Sequence, residues 1–185
     1  VKQGHKVSVY NSHSHPYQAS EWQGVEIIHC NDPEDKLGTV GQFFYDFNCI
    51  NDSRSREFDI ILLLGYTSSS IWSWLLPKRA AILCNVDGME WKRSKFSGAV
   101  QHFLRWAERW AVNSSDAIIA DSEAIKSYVD EKYSIHSHYI PYGAPLPPKR
   151  NTALLDEFEL EPGGFNMLIA RMEPENNIEM ILDGQ

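Results

Sequence analysis

The side chains best suited to chemistry in this sequence lie in one short loop, directly after the apolar run Ala81–Val86. Two carboxylates in this loop, Asp87 and Glu90, could each accept a proton from a hydroxyl group or hydrogen-bond to a sugar hydroxyl. Gly88 between them permits a sharp turn or the close approach of a ligand. The loop continues with an aromatic ring and two cations, Trp91, Lys92 and Arg93. The structural alternative is that Asp87 caps a turn and Glu90 pairs with Lys92 or Arg93.

The element that leads into this loop is predicted to be a buried parallel strand. Ala81–Val86 is apolar at every position except Asn85 and does not alternate, which is typical of strands covered on both faces. In open α/β sheets, ligands bind beyond the carboxyl ends of such strands. We therefore expect the loop to line a ligand-binding crevice.

Strands alternate with helices along most of the chain, which predicts an α/β fold with a doubly wound, Rossmann-like parallel sheet. Phe58–Leu64 is expected to be the most strongly buried strand. In the helix predicted over Gly98–Val112, Leu104 and Ala107 lie on the apolar face and Glu108 on the solvent face. The other predicted strands are Lys6–Tyr10, Val25–His29, Ala117–Ala120 and His138–Pro141, and the other predicted helices are Gly41–Ile50, Ser70–Leu76 and Glu123–Lys132.

A proline-rich stretch without periodicity predicts a domain boundary. Residues 1–143 form the first domain, 144–152 a linker, and 153–185 the start of a second α/β domain. In this second part, Leu154–Leu160 is predicted to be helical, Phe165–Ala170 a buried strand, and Asn177–Asp183 the beginning of a helix.

Composition excludes several classes of protein. The chain has 185 residues and a formal net charge of −8, which argues against a nucleic-acid surface because phosphate binding needs surplus Lys and Arg. No apolar run approaches the ~20 residues needed to span a bilayer. The three cysteines are widely spaced and are expected to be reduced, buried thiols of a cytoplasmic protein, with Cys84 packed in the core.

Five segments in register resemble one known family. They are NVDGMEWKR, LRWAERWAV, AIIADSEAI, IPYGA and IARMEPENN. In this order the chain is similar to the family 4 glycosyltransferases of GT-B type, and within them to the rhamnosyltransferases of bacterial surface-polysaccharide synthesis. The resemblance implies two Rossmann-like domains facing a cleft, with the acceptor held mainly by the first and the nucleotide-sugar donor mainly by the second.

The resemblance also implies roles for particular residues. Arg171 is expected to bind the donor diphosphate, where a guanidinium can pair bidentately and stabilise charge that grows as the glycosidic bond breaks. Asn176 stands where the family usually has a lysine, so the chain has one cation fewer there. Asp87 corresponds to the position of a histidine or acid near the donor sugar. Retaining chemistry is implied by the family, and neither a cofactor nor a metal is expected.

The acceptor side is expected to involve the loop that begins at Asp87. Trp91 could stack on a saccharide or lipid-linked acceptor, while Lys92 and Arg93 meet a pyrophosphate or an anionic membrane surface at the inner face of the membrane. Ile71–Arg79 repeats this combination of tryptophans and cations, although core packing of its tryptophans is the favoured interpretation. His13 and Tyr17, in a polar loop after the first strand, are further candidates to line the acceptor cleft.

Two other functions are compatible with these residues. One is a GT-B-type sugar-nucleotide epimerase, and the other is a non-catalytic module that binds glycans or associates with itself. Both ends of the sequence have the pattern of an interrupted helix, so we expect a longer protein and an inactive fragment. In doubly wound sheets the first strand lies beside the second and the fourth. Without a strand before Val1, the sheet is expected to carry a gap or an exposed edge that invites homo-oligomers.

Overall fold

The computed structural model describes residues 1, 3–144 and 153–184. Its strands are β1 Val7–Ser12, β2 Glu21–Trp22, β3 Val25–Cys30, β4 Ile60–Leu64, β5 Ala81–Val86, β6 Ala117–Ala120 and β7 His138–Tyr139. Its helices are α1 Glu34–Leu37, α2 Thr39–Ser53, α3 Gly98–Ser114, α4 Glu123–Tyr133, α5 Ala153–Asp156 and α6 Ile178–Asp183. Three 3-10 segments are Ser69–Leu75, Glu90–Lys92 and Pro174–Asn176.

The strands form two separate sheets. Strands β4, β5, β6 and β7 make a four-stranded sheet in that order, and every pair in it is parallel. Strand β3 lies between β1, to which it is parallel, and the short antiparallel β2. The α/β, Rossmann-like prediction is confirmed, and so is the expected gap, because β1 and β4 are not hydrogen-bonded to each other.

The core lies between the four-stranded sheet and helices α3 and α4. Cys84 and Val86 of β5 are fully buried there, together with Ala107 of α3 and Val129 of α4. These small and β-branched side chains let the helices lie close to the sheet. The core fixes the carboxyl end of β5, and therefore the loop that follows it. Cys84 packs in the core as predicted.

Helix α4 begins where the sequence indicates. The Ser122 hydroxyl accepts a hydrogen bond from the Ile125 backbone N–H at 3.3 Å, so Ser122 is the N-cap. Trp72, in the 3-10 helix Ser69–Leu75, packs against Phe47 and donates from its indole to the Phe43 carbonyl at 2.7 Å. This tryptophan therefore packs as favoured, whereas Trp74 is exposed.

Two strand predictions are wrong. Strand β4 is at an edge of its sheet, and Leu64 is 75% exposed although the sequence predicts burial. Hydrophobicity indicates what a strand can bury, but a strand is buried only where other elements cover it. Phe165–Ala170 has no strand assignment, and Ile169 within it is 83% exposed, since no described strand pairs with it. The predicted linker falls almost entirely on residues 145–152, which lie outside the described residues.

Candidate functional site

The candidate site lies at the carboxyl end of the parallel sheet, at one end of a groove of about 710 Å³ that runs between β1 and β4. Gly65 ends β4 with a φ of 110°, a conformation that favours glycine and turns the chain out of the sheet. Asp87 and Glu90 follow β5, and both line the groove, as does Tyr66. The loop therefore borders a groove at the strand ends, the position where ligands bind in this class of sheet, and ligand binding there stays a prediction.

Asp87 is exposed at the mouth of this groove. Partial burial against the groove wall, and then the neighbouring charges of Glu90 and Asp121, raise the pKa of Asp87 above its ordinary range. A carboxylate with a raised pKa is a stronger base than a free aspartate. The arrangement can therefore accept a proton from a hydroxyl group placed in the groove.

Glu90 has a protein partner as well as access to the groove. Its Oε2 accepts from Arg93 Nη1 at 3.2 Å, which is the ion pair of the structural alternative. Its Oε1 lies toward Gly88, where a Cβ atom would come within 3.5 Å of it. The Tyr66 hydroxyl donates to the Gly88 carbonyl at 3.2 Å and so fixes the loop from the β4 side. Glu90 and Arg93 thus form one turn, and Tyr66 anchors the preceding Gly88.

The prediction that the Glu108 carboxylate is exposed to solvent is wrong, because it is buried beneath the loop. Glu108 of α3 is expected on the solvent face, but it is fully buried. Its Oε1 accepts from the Tyr128 hydroxyl at 2.8 Å, the Tyr133 hydroxyl at 2.6 Å and Lys132 Nζ at 2.7 Å. Its Oε2 lies 3.2 Å from Trp91 Nε1, which donates to it. A buried charge persists only when it is paired and hydrogen-bonded, and these donors meet that requirement.

This Glu108 network, defined by Glu108, Trp91, Tyr128, Lys132 and Tyr133, raises the pKa of two of its members, Lys132 and Tyr133. Partial burial disfavours the Lys132 ammonium, but its hydrogen bonds to Glu108, Tyr128 and Tyr133 raise its pKa above the ordinary lysine value. Desolvation, and then the contact with Glu108, raises the pKa of the Tyr133 hydroxyl. Both groups therefore stay protonated at neutral pH and remain donors to the carboxylate.

Trp91 is held by the protein through both its N–H group and its ring. Besides the bond to Glu108, its ring lies 4.6 Å from the Arg105 guanidinium carbon and 5.4 Å from Lys132 Nζ. Lys92 Nζ is also 5.4 Å from the ring centroid. These cations favour the π-face of an indole. If Trp91 stacks on an acceptor sugar as predicted, it must do so with the part of its indole ring that Arg105, Lys132 and Lys92 do not cover.

The Arg171 segment approaches the same loop through an ion pair. Lys95 Nζ lies 3.1 Å from Glu173 Oε1. The Glu173 N–H donates to the Arg171 carbonyl at 2.8 Å, and the Asn176 side-chain amide donates to that carbonyl at 2.7 Å. Arg171 is exposed. Asn176 therefore closes the turn that carries Arg171.

His13 and Tyr17 are not brought together with Asp87. His13 Nδ1 accepts from the Asp32 backbone N–H at 2.9 Å, and the Tyr17 hydroxyl donates to the Glu21 carbonyl at 2.7 Å. Neither residue lines the groove. Within the described part of the chain, no group of three or more His, Cys, Asp or Glu side chains is arranged to hold a metal ion.

Sequence reasoning missed Glu108 although a signal for it exists. The buried residues of α3 recur at helical spacing, and Glu108 stands four residues after Leu104 and four before Val112. A charged residue inside an apolar stripe indicates a buried pair, because an unpaired charge there would be too costly. Asp46 was also missed: it lines the groove, and its carboxylate accepts from the Ser68 hydroxyl at 2.5 Å.

The fold and the crevice define a Rossmann-like α/β protein. Residues 4–145 match a family described as a domain of unknown function (DUF1972). This match covers more than half of the chain, which therefore belongs to the DUF1972 family. A comparison with curated proteins gives no match. In the described ranges 1, 3–144 and 153–184, none of the helices has the length and apolar character needed to cross a membrane.

Proposed function

We propose that the protein is a glycosyltransferase that moves a sugar, rhamnose or a related deoxysugar, from a nucleotide-sugar donor to a saccharide or lipid-linked acceptor. The proposal depends chiefly on Asp87, an acid with a raised pKa in a crevice at the carboxyl end of a parallel strand. The five segments that carry the resemblance to family 4 glycosyltransferases support it. The DUF1972 match defines the family and leaves the reaction open.

Contacts among these segments add a second line of support. Trp91, of the first segment, donates to Glu108 of the second, and Glu108 accepts from Tyr128, which follows the third. Asn85 of the first segment donates from its side-chain amide to the Tyr142 hydroxyl of the fourth at 2.8 Å. Segments that meet at one end of the sheet can build one site, whereas scattered segments would carry only packing.

In the proposed reaction, Asp87 accepts the proton of the acceptor hydroxyl as that oxygen attacks the anomeric carbon on the face from which the diphosphate leaves, the course that retains configuration. The bond from that carbon to the donor diphosphate breaks, and the nucleoside diphosphate leaves with the electron pair. Arg171 stabilises the growing negative charge on the diphosphate. Glu90, held by Arg93, hydrogen-bonds to a hydroxyl of the bound sugar.

The test is the release of nucleoside diphosphate from dTDP-, UDP- and GDP-sugars by the full-length polypeptide that contains this chain, with lipid-linked and free saccharide acceptors. Asp87→Asn is expected to reduce kcat by about 10²-fold or more, the usual contribution of a general base. Asp59→Asn is the matched control, because Asp59 is exposed at the opposite end of β4. Equal rates in the two variants would contradict the role of Asp87. Epimerised donor without transfer would favour the epimerase alternative.

A further inference from the structure

Away from its mouth at Asp87 and Glu90, the groove is bounded by the open edges of β1 and β4. Five consecutive residues of each wall line it, Lys6–Tyr10 on the β1 side and Ile60–Leu64 on the β4 side. Side chains of one strand alternate between faces, so a wall formed by consecutive residues is a backbone edge. β1 pairs only with β3, and β4 pairs only with β5, among the described strands. Both edges therefore present unused N–H and C=O groups to the same space.

The groove is apolar along its β4 side. Ile60 is 60% exposed and Leu62 is 48% exposed, and β4 contains no charged residue. On the other side, Val9 of β1 is 45% exposed. Soluble proteins protect open strand edges with charges, prolines or bulges, none of which β4 has. An uncharged, exposed edge of this kind is suited to cover by another strand.

The connections of the chain indicate where such a strand belongs. Every described strand already has its place in one of the two sheets, and β4, β5, β6 and β7 are neighbours in that order. Consecutive strands lie beside each other in most folds. In a doubly wound sheet the first strand lies between the second and the fourth. The open position, between β1 and β4, is thus the place of a strand that comes before β1.

We propose that the groove between β1 and β4 is occupied by one apolar β-strand of the same polypeptide, N-terminal to Val1, which pairs with both edges. This strand joins the two sheets into one. The connection from it to β1 covers the exposed face of β4 that carries Ile60 and Leu62. The mouth of the groove, with Asp87 and Glu90, stays open as the crevice.

Residue-resolved hydrogen exchange tests this proposal on two proteins, the chain 1–185 and the same chain with its natural N-terminal sequence. In the chain 1–185, the outward N–H groups of β1 and β4 are expected to exchange fast. In the longer protein this fast exchange is expected to be lost. Fast exchange in both proteins would overturn the proposal, as would protection already present in monomeric 1–185. Protection only where sedimentation shows a dimer would assign the groove to a second copy and also overturn it.

If the chain 1–185 does not fold and the longer protein folds, that result supports the proposal. A pair of substitutions in the longer protein then provides a second test. In the longer protein, Leu62→Lys is expected to lower Tm by about 5–10 °C, because it places a charge in a covered apolar face. Val40→Lys is the matched control, since Val40 is 58% exposed on α2 and does not line the groove. Equal Tm changes for the two variants would overturn the proposal.

Discussion

Replacing Glu108 with glutamine tests whether the buried carboxylate holds the loop of the candidate site. In Glu108→Gln the side chain keeps its shape and one carbonyl oxygen, but an NH₂ group replaces the other oxygen. If that group takes the place of Oε2, it faces the Trp91 indole N–H, which donates to Oε2 at 3.2 Å in the native protein and would keep only the Tyr128 hydroxyl, at 3.1 Å, as an acceptor. The contact between two donors costs about 1–3 kcal/mol, the range for a buried polar group that loses its partner.

The loss of charge adds a smaller amount. Lys132 Nζ lies 2.7 Å from Glu108 Oε1, but the Lys132 side chain is 34% exposed and partly solvated. We therefore assign no more than about 1 kcal/mol to this pair, as for partly exposed ion pairs. The sum predicts that Glu108→Gln lowers the free energy of unfolding by about 1–4 kcal/mol. For a chain of this length the corresponding decrease in Tm is roughly 3–15 °C.

Urea and thermal unfolding followed by circular dichroism measure this change. Glu131→Gln is the matched control, because Glu131 is an exposed glutamate on α4, and it is expected to change the free energy by less than about 0.5 kcal/mol. A second readout is local: trypsin is expected to cleave after Lys92 or Arg93 faster in Glu108→Gln than in the control. Equal stability and equal cleavage rates in the two variants would refute the reasoning.

Two further outcomes follow from individual contacts. Hydrogen bonds from Lys126 and Ser137 hold the pKa of Asp130 below its ordinary value. The stabilisation that the Asp130 carboxylate provides is therefore present above about pH 4 and is lost as pH falls toward the folded pKa. Asp130→Asn is expected to be less stable than wild type at neutral pH, with a difference that shrinks in urea titrations near pH 3, and a difference independent of pH would contradict this. Desolvation raises the pKa of the buried Cys84 thiol to about 12, so iodoacetamide is expected to label Cys84 only in urea, and mass spectrometry that finds it labelled in the native protein would refute this burial.

Much of the sheet could be predicted because its central strands are almost entirely apolar, with Asn85 of β5 as the exception. β5 and β6 have the predicted limits, and α3 extends only two residues beyond its predicted end. β4 contains only Ile and Leu and is more apolar than β5, which includes Asn85, yet its position at the edge leaves β4 exposed. Composition indicates the type of an element, whereas its burial depends on which neighbours it has, and a local pattern does not contain that information.

The loop at Asp87 could be found from its position after β5. The helical spacing of the apolar residues in α3 indicates that Glu108 is buried, but it does not indicate the partners of Glu108 in the Glu108 network. This network joins Trp91, Glu108, Tyr128, Lys132 and Tyr133, which come from a 3-10 turn and two helices. Only the packing of α3 against α4 brings these side chains together. The roles of His13 and Tyr17 remain predictions without support from geometry, because both residues hydrogen-bond within their own part of the chain.

The most direct measurement is a calorimetric titration of the full-length polypeptide, without divalent metal, against dTDP, UDP and GDP. The account predicts saturable binding of one of them, weakened about tenfold or more by Arg171→Ala, since a bidentate guanidinium–phosphate pair contributes more than 1.4 kcal/mol. Arg109→Ala, which removes an exposed arginine of α3, is expected to leave binding unchanged. Binding of none of the three, or equal binding by both variants, would contradict the account and favour a sugar-binding or scaffolding role.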